Sequence, residues 1–167
     1  MKRLLAGLLL LAAAGPGYGQ TDQILKLKDQ IVRLQNEGDL GFGRFSLCSE
    51  ILGFGSYAPL PQAVIPRNGI LLVYYEPANV FTAVREGLYE IWYTQDLALL
   101  DAGGKVIQEW KDFLTFRQAA KQPILDLYAK NTLELQGLPP GDYKLRAVLK
   151  DRFRKGEAVK VVDFAVK

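Results

Sequence analysis

The C-terminal stretch constrains this chain more than any other. "LPPGDYKLRAVLKD" runs from Leu138 to Asp151, followed by "RFRKG" and "EAVKVVDFAVK". Pro139, Pro140 and Gly141 predict a tight turn. Tyr143, Leu145, Ala147 and Leu149 then alternate with Lys144, Arg146, Val148 and Lys150. That is the period of a strand with one face in a core. "RFRKG" reverses the chain into a closing strand. A tyrosine just after such a turn, opening the second-last strand, is the sign of a tyrosine corner. Its hydroxyl bonds back to the backbone a few residues upstream and pins a crossover between two sheets. Tyr143 is therefore read as structural.

The rest of the chain fits around that hairpin. Thr21 to Glu37 predicts a helix, with Ile24, Leu27, Ile31 and Leu34 forming one apolar stripe that Leu25 and Val32 widen. Gly38 is its expected stop. The stripe needs a partner surface, either the chain's own domain or, for a docking or dimerising helix, another molecule. From Phe42 the pattern changes to strands. Phe45, Leu47 and Ile51 are expected on one face, with Arg44, Ser46, Cys48 and Glu50 on the other. "ILLVYYE", Ile70 to Glu76, is apolar on both faces, which suits a central strand, and the helix could supply one cover. Gly87 to Asp101 reads as a long strand, and "DAGGK" as a hairpin turn before "VIQEWKDF". Phe116 to Pro123 reads as a loop or helical turn, and Ile124 to Leu135 as a strand.

Three segments carry a resemblance: "FSLCSEILGFGSYAPLP", "NGILLVYYEPANVF" and the C-terminal "LPPGDYKLRAVLKDRFRKGEAVKVVDFAVK". Together they resemble uncharacterised exported proteins of planctomycete-type bacteria over most of Phe45 to Lys167, departing at Pro77 to Val80. The resemblance implies a recurrent sandwich domain and carries no activity and no catalytic residue. The expected fold is all-β: an immunoglobulin-like, Greek-key β-sandwich of about seven or eight strands preceded by one amphipathic helix. Residues 1–19 are expected to be a signal peptide, residues 20–40 the helix and linker, and residues 41–167 the sandwich.

Lys2 and Arg3 precede an apolar run from Leu4 to Ala14, and small residues follow at Gly15, Gly17 and Gly19. The run is shorter than the roughly 20 residues a membrane span needs, and a cut after Gly19 fits a secretory signal. An uncleaved N-terminal anchor is the alternative. The expected location is periplasmic or extracellular, with no transmembrane segment in the mature chain. Of 21 basic residues, two leave with that signal, so 19 face 18 acidic ones. A charge near neutrality gives no reason to expect nucleic acid as a partner.

Chemistry is sparse. With no histidine in 167 residues, Ser-His-Asp and Cys-His catalysis are excluded. "GFGSY" is spelled like a phosphate loop but lacks the Lys-Ser/Thr that follows one, so no nucleotide is expected. Gly53 and Gly55 are read instead as turn residues, one with positive φ, allowing Phe54 and Tyr57 to tuck in. Cys48, the one cysteine, finds no positive charge in Ser46, Ser49 or Glu50, Arg44 being the one cation a regular strand could bring near it, and is read as structural. No cofactor or metal is expected. Trp92 and Trp110 are candidate sugar-stacking platforms. Arg152, Phe153, Arg154 and Lys155 at the last hairpin tip are a candidate contact for an anionic partner, or an edge guarded by cations. The functional expectation is a non-catalytic envelope protein acting as a structural or protein–protein interaction module, its N-terminal helix or an exposed strand edge docking another envelope protein. Carbohydrate or cell-wall polymer binding is the alternative, and an enzyme comes last.

Overall fold

The computed structural model describes residues 17–167, so the predicted signal lies almost wholly outside the described residues. One helix, α1 (Gly17–Glu37), precedes β1 (Gly41–Gly53), β2 (Ser56–Pro59), β3 (Val64–Ile65), β4 (Ile70–Ala78), β5 (Thr82–Arg85), β6 (Leu88–Asp101), β7 (Val106–Ala120), β8 (Ala129–Glu134), β9 (Gly141–Asp151) and β10 (Glu157–Val166). The chain is mostly β. Ten strands stand where about seven or eight were expected, because β2, β3 and β5 are short pieces inside turn-rich stretches.

Two sheets form. One runs β2-β1-β4-β8, the other β3-β10-β9-β6-β5, with β7 also paired to β6. β7 and β9 both pair with Tyr93 to Leu100 of β6. They therefore flank β6 on opposite edges, and β7 forms the outer edge. The sheets face one another across a shared core. Leu71, Val73 and Leu133 come from the first sheet; Leu97, Leu99, Leu145, Ala147 and Phe164 come from the second. Burying the leucine, valine and phenylalanine side chains among them stabilises the fold by about 1.5–3 kcal/mol each.

The C-terminal hairpin forms as its alternation predicts, with β9 and β10 paired from Gly141–Val166 to Lys150–Glu157. The Tyr143 hydroxyl donates to the Pro139 carbonyl at 2.7 Å, so the tyrosine pins the turn that precedes it. "DAGGK" is the β6–β7 turn, and the Lys105 amide donates to Asp101 Oδ1 at 2.9 Å.

Four details differ from the sequence expectation. β7 continues as strand to Ala120, so Phe116 is no loop, whereas β8 begins only at Ala129. Between Cys48 and Glu50 the β1 register shifts. That bulge moves Ile51 to the face of Cys48, where both pack with Tyr74, away from Phe45 and Leu47. The outer face of β4 is consequently covered by Tyr57 and Tyr128 on Tyr74, not by the helix. Phe54 is exposed at the β1–β2 tip. Gly55 has φ +65, as a turn there requires, and its amide bonds the Tyr74 hydroxyl, so the turn lies against the outer face of β4 with Phe54 left exposed.

A partly buried ion pair ties the second sheet's outer surface. Lys150 Nζ lies 2.6 Å from Asp96 Oδ2, and the Asp112 amide donates to Asp96 Oδ1 at 2.9 Å. Burial pushes the Asp96 carboxyl up, but Lys150, the Asp112 amide and Lys111 outweigh it and hold it below its ordinary value.

Candidate docking surface

The helix is held by one side and bare on the other. Val32 is 4% exposed, and Leu25, Lys28, Asp29, Gln35 and Asn36 are half-buried. Ile24, Leu27, Ile31 and Leu34 are 54%, 52%, 42% and 68% exposed. Among the described residues, the stripe expected to find a partner surface therefore finds none on its own domain. The domain binds the neighbouring face, which is mixed in polarity. Helical periodicity allowed this choice: positions 25 and 32 are apolar too, and 29 and 36 carry the groups that bond to the sandwich.

That inner face is fixed by hydrogen bonds. Asn36 treats the Thr82 backbone as a strand would: its Nδ2 donates to the Thr82 carbonyl at 2.9 Å, and its Oδ1 accepts from the Thr82 amide at 2.8 Å. The Tyr89 hydroxyl donates to Asp29, and Lys28 Nζ to Gln122 at 3.2 Å. Bonding to Asp29 raises the Tyr89 pKa, with burial adding to it.

The helix C-terminus is clasped from the far end of the chain. Arg154 Nη1 donates to the carbonyls of Asn36 at 2.8 Å and Gly38 at 2.9 Å, and Nη2 donates to Asn79 at 2.6 Å. A guanidinium at a helix C-terminus satisfies carbonyls that lack intrahelical partners and meets the negative end of the dipole. Gly38 is needed for close approach: a Cβ there would sit 2.5 Å from Asn79 Nδ2. Asp151 shapes the hairpin that delivers Arg154. It is buried and accepts from the amides of Phe153 and Arg154 at 2.9 Å each and from Phe81 at 2.7 Å. Arg154, expected as a contact for an anionic partner, is thus occupied by three backbone carbonyls.

The other candidates separate. Trp110 is half-buried, edge-on to Phe113 at 6.1 Å, and packs on the main core, so it offers no open platform. Trp92 is half-buried with guanidiniums over its ring, Arg117 at 4.7 Å and Arg152 at 5.6 Å. Phe153 lies edge-on to Trp92 at 6.0 Å and carries Arg85 at 5.0 Å. A sugar ring could stack on Trp92 only by displacing arginine. Trp92, Arg152 and Lys155 line an open cleft of about 350 Å³.

Gly53 and Gly55 belong to the β1–β2 turn. The Gly55 amide donates to the Tyr74 hydroxyl at 2.8 Å, and that hydroxyl donates to Glu76 at 2.6 Å. Burial first, then the Glu76 bond, pushes the Tyr74 pKa up to about 12. Cys48 is buried, its thiol donating to the Ser46 carbonyl at 3.6 Å. It borders a shallow cavity of about 460 Å³ lined also by Leu60, Ile70, Leu72 and Lys130.

Among the described residues, no cluster of three His, Cys, Asp or Glu side chains could hold a metal. No helix among them is long and apolar enough to cross a membrane. Sequence reasoning missed Asp151, Asn36 and Asn79. Only "KDRFR", an aspartate opening a tight reversal, carried any signal of them.

No family model matches this chain, and no curated protein matches it. Among solved structures it is similar to an alkylpurine DNA glycosylase of Pseudomonas fluorescens bound to DNA containing an abasic-site analogue. That likeness has a TM-score of 0.45 and 9% identity, over 89% of this chain and 36% of that one. The chain spans about a third of that protein. It is also similar to a CARDB domain from Pyrococcus furiosus in complex with di-metal ions. There the TM-score is 0.36 and the identity 13%, over 80% of this chain and 96% of that domain. Likenesses this distant say nothing of activity or ligand.

Proposed function

We propose that this protein is a non-catalytic, exported envelope protein that works as a protein–protein interaction module. The docking element is the outer face of α1, and its partner presents a complementary apolar helical face. One observation carries the reading: four large apolar side chains at 24, 27, 31 and 34 stand exposed on a helix whose other face is bonded to the sandwich. A helix already ordered and oriented loses little further entropy on docking, and i, i+3, i+7 anchors are how helices seat in apolar grooves. Export is supported by Lys2, Arg3, the Leu4–Ala14 run and the small residues at Gly17 and Gly19.

The scaffold is, in this reading, an immunoglobulin-like sandwich. Its support is the Tyr143–Pro139 bond and a sheet order in which β1-β4-β8 faces β10-β9-β6-β7. That order parallels the A-B-E and G-F-C-C′ strands of that fold.

Site-specific photo-crosslinking in cells tests the docking role. A photoreactive side chain at Leu27 or Ile31 is expected to trap one discrete protein adduct, whereas one at Gly103, on the distant β6–β7 turn, is not. No adduct from either stripe position would sink the reading.

A second reading, anionic glycan binding, has its own observation. Arg85, Arg117 and Arg152 are stacked on aromatic rings. Among the described residues none of them lies within salt-bridge distance of a carboxylate. Retention on immobilised polyuronate that falls in an Arg117→Ala/Arg152→Ala variant would support it. Unchanged retention, or none, would end it.

A further inference from the structure

We infer that the partner of the α1 stripe is a second copy of this chain, its helix paired in parallel and in register with the first. The inference rests on the docking reading above. The stripe spacing defines a heptad with Ile24 and Ile31 at a and Leu27 and Leu34 at d. A β-branched residue at a with leucine at d is the combination that favours two parallel strands over three or four. The positions beside this seam are Gln23, Gln30 and Glu37 at g, with Thr21, Lys28 and Gln35 at e. In a parallel register Gln30 comes beside Gln35 of the second copy, and Gln23 beside its Lys28, whose Nζ already donates to Gln122 of its own sandwich. No like charges oppose each other, so the seam does not select against itself.

The sandwich leaves that geometry open. Val32 and Leu25 occupy b, and Asp29 and Asn36 occupy f, on the outside of a two-helix seam. Together with Lys28 and Gln35 at e, which are half-buried, these residues face the helix's own domain. Two domains would therefore flank the helix pair on opposite sides. Free two-heptad helices are marginal because ordering the first turns is costly. Here the sandwich has already ordered the helix. Four half-exposed side chains bury on the order of a few hundred Å² per copy, which places the pair below the roughly 1,200 Å² total of a standard interface. The association is consequently weak, reversible and concentration-dependent.

Two measurements test it. Sedimentation equilibrium of the mature protein, from micromolar to millimolar concentration, is expected to show a monomer–dimer equilibrium. Leu27→Glu should weaken it at least tenfold, and Leu27→Ser should weaken it without introducing charge. In a Cys48→Ala background, Ile31→Cys should form an intermolecular disulfide on mild oxidation, because a parallel register sets the two a positions face to face. An antiparallel pair would set position 31 against Leu27, so Ile31→Cys alone would stay unlinked. A monomer at every concentration, a dimer indifferent to both Leu27 variants, or failure of the Ile31→Cys disulfide would each overturn the inference. If the photo-crosslinks then join a different protein, the docking reading stands and only self-pairing falls. If stripe positions trap nothing at all, both fall.

Discussion

The inner and outer faces of α1 share a backbone and differ in almost everything else. The inner face has one fully buried apolar side chain, Val32, and a set of polar groups matched one by one: Asn36 to Thr82, Asp29 to Tyr89, and the terminal carbonyls to Arg154. The outer face has four large apolar side chains that stand 42–68% exposed among the described residues. The hydrophobic effect alone would have turned the helix the other way, since the stripe offers the larger apolar area. Directional bonding wins instead, because Asn36 and Arg154 fit backbone groups at only one rotation of the helix. Attachment and exposed surface are thereby separated. The polar face sets where the helix sits, and the apolar face is left free.

The sharpest way to break this contrast lies away from the helix, at Asp151. Removing its carboxylate leaves three amides without their acceptor, two of which shape the hairpin that carries Arg154. Asp151→Ala is expected to cost about 3 kcal/mol, the range for losing a buried charged acceptor with several bonds. Urea unfolding measures it, and amide exchange in the last helical turn should quicken as the clasp loosens. A loss under about 1 kcal/mol, with the helix equally protected, would mean that the hairpin holds its shape without Asp151.

Val32→Ala comes next. It trims the one helix side chain fully inside the contact, and a cost of about 2 kcal/mol is expected from lost burial plus the cavity left behind. A value near zero would show that polar bonds alone seat the helix.

The sequence disclosed these regions unequally, for physical reasons. Tyr143 and the β9–β10 alternation were legible because a hairpin is local: turn, period and partner all lie within one short stretch. The apolar stripe was equally legible, but the face the helix would bury was not. Leu25 and Val32 sit beside it, and a helical wheel cannot weigh Asn36 bonding to a strand that lies 46 residues away. Asp151 and Arg154 read as surface charges in a basic hairpin. Their roles exist only once β4, β5 and the helix end meet there. The bulge after Cys48 leaves no compositional mark, so Ile51 was assigned to the wrong face. The glycines of "GFGSY" announced a turn correctly, whereas the exposure of Phe54 depended on the turn docking its backbone on Tyr74, a residue distant in sequence.

A smaller effect separates the inner face's bonds by pH. The Tyr89 pKa is raised through its bond to Asp29. A raised folded-state value means that the stabilisation is complete below the ordinary tyrosine value near 10. It is lost as pH climbs through the higher folded value. The stability difference between the parent and Tyr89→Phe should therefore be constant through neutral pH and shrink in the alkaline range. A difference that persists unchanged above that range would assign the Tyr89 contribution to packing of its ring.

The smallest expected change is at Leu27, and it tests the contrast most directly. Leu27→Ala removes a large apolar side chain and keeps a strong helix former in its place. If the outer face touches nothing in the isolated protein, unfolding at low micromolar concentration should shift by no more than about 0.5 kcal/mol, the range for surface substitutions. The same substitution at a buried leucine such as Leu145 would cost about 2–5 kcal/mol. A large Leu27 effect at low concentration would mean that the stripe is covered by its own chain. An effect that emerges only as concentration rises would mean that it is covered by another molecule. The concentration dependence therefore decides between the two, because a self-contained contact is unimolecular and a docking contact is not.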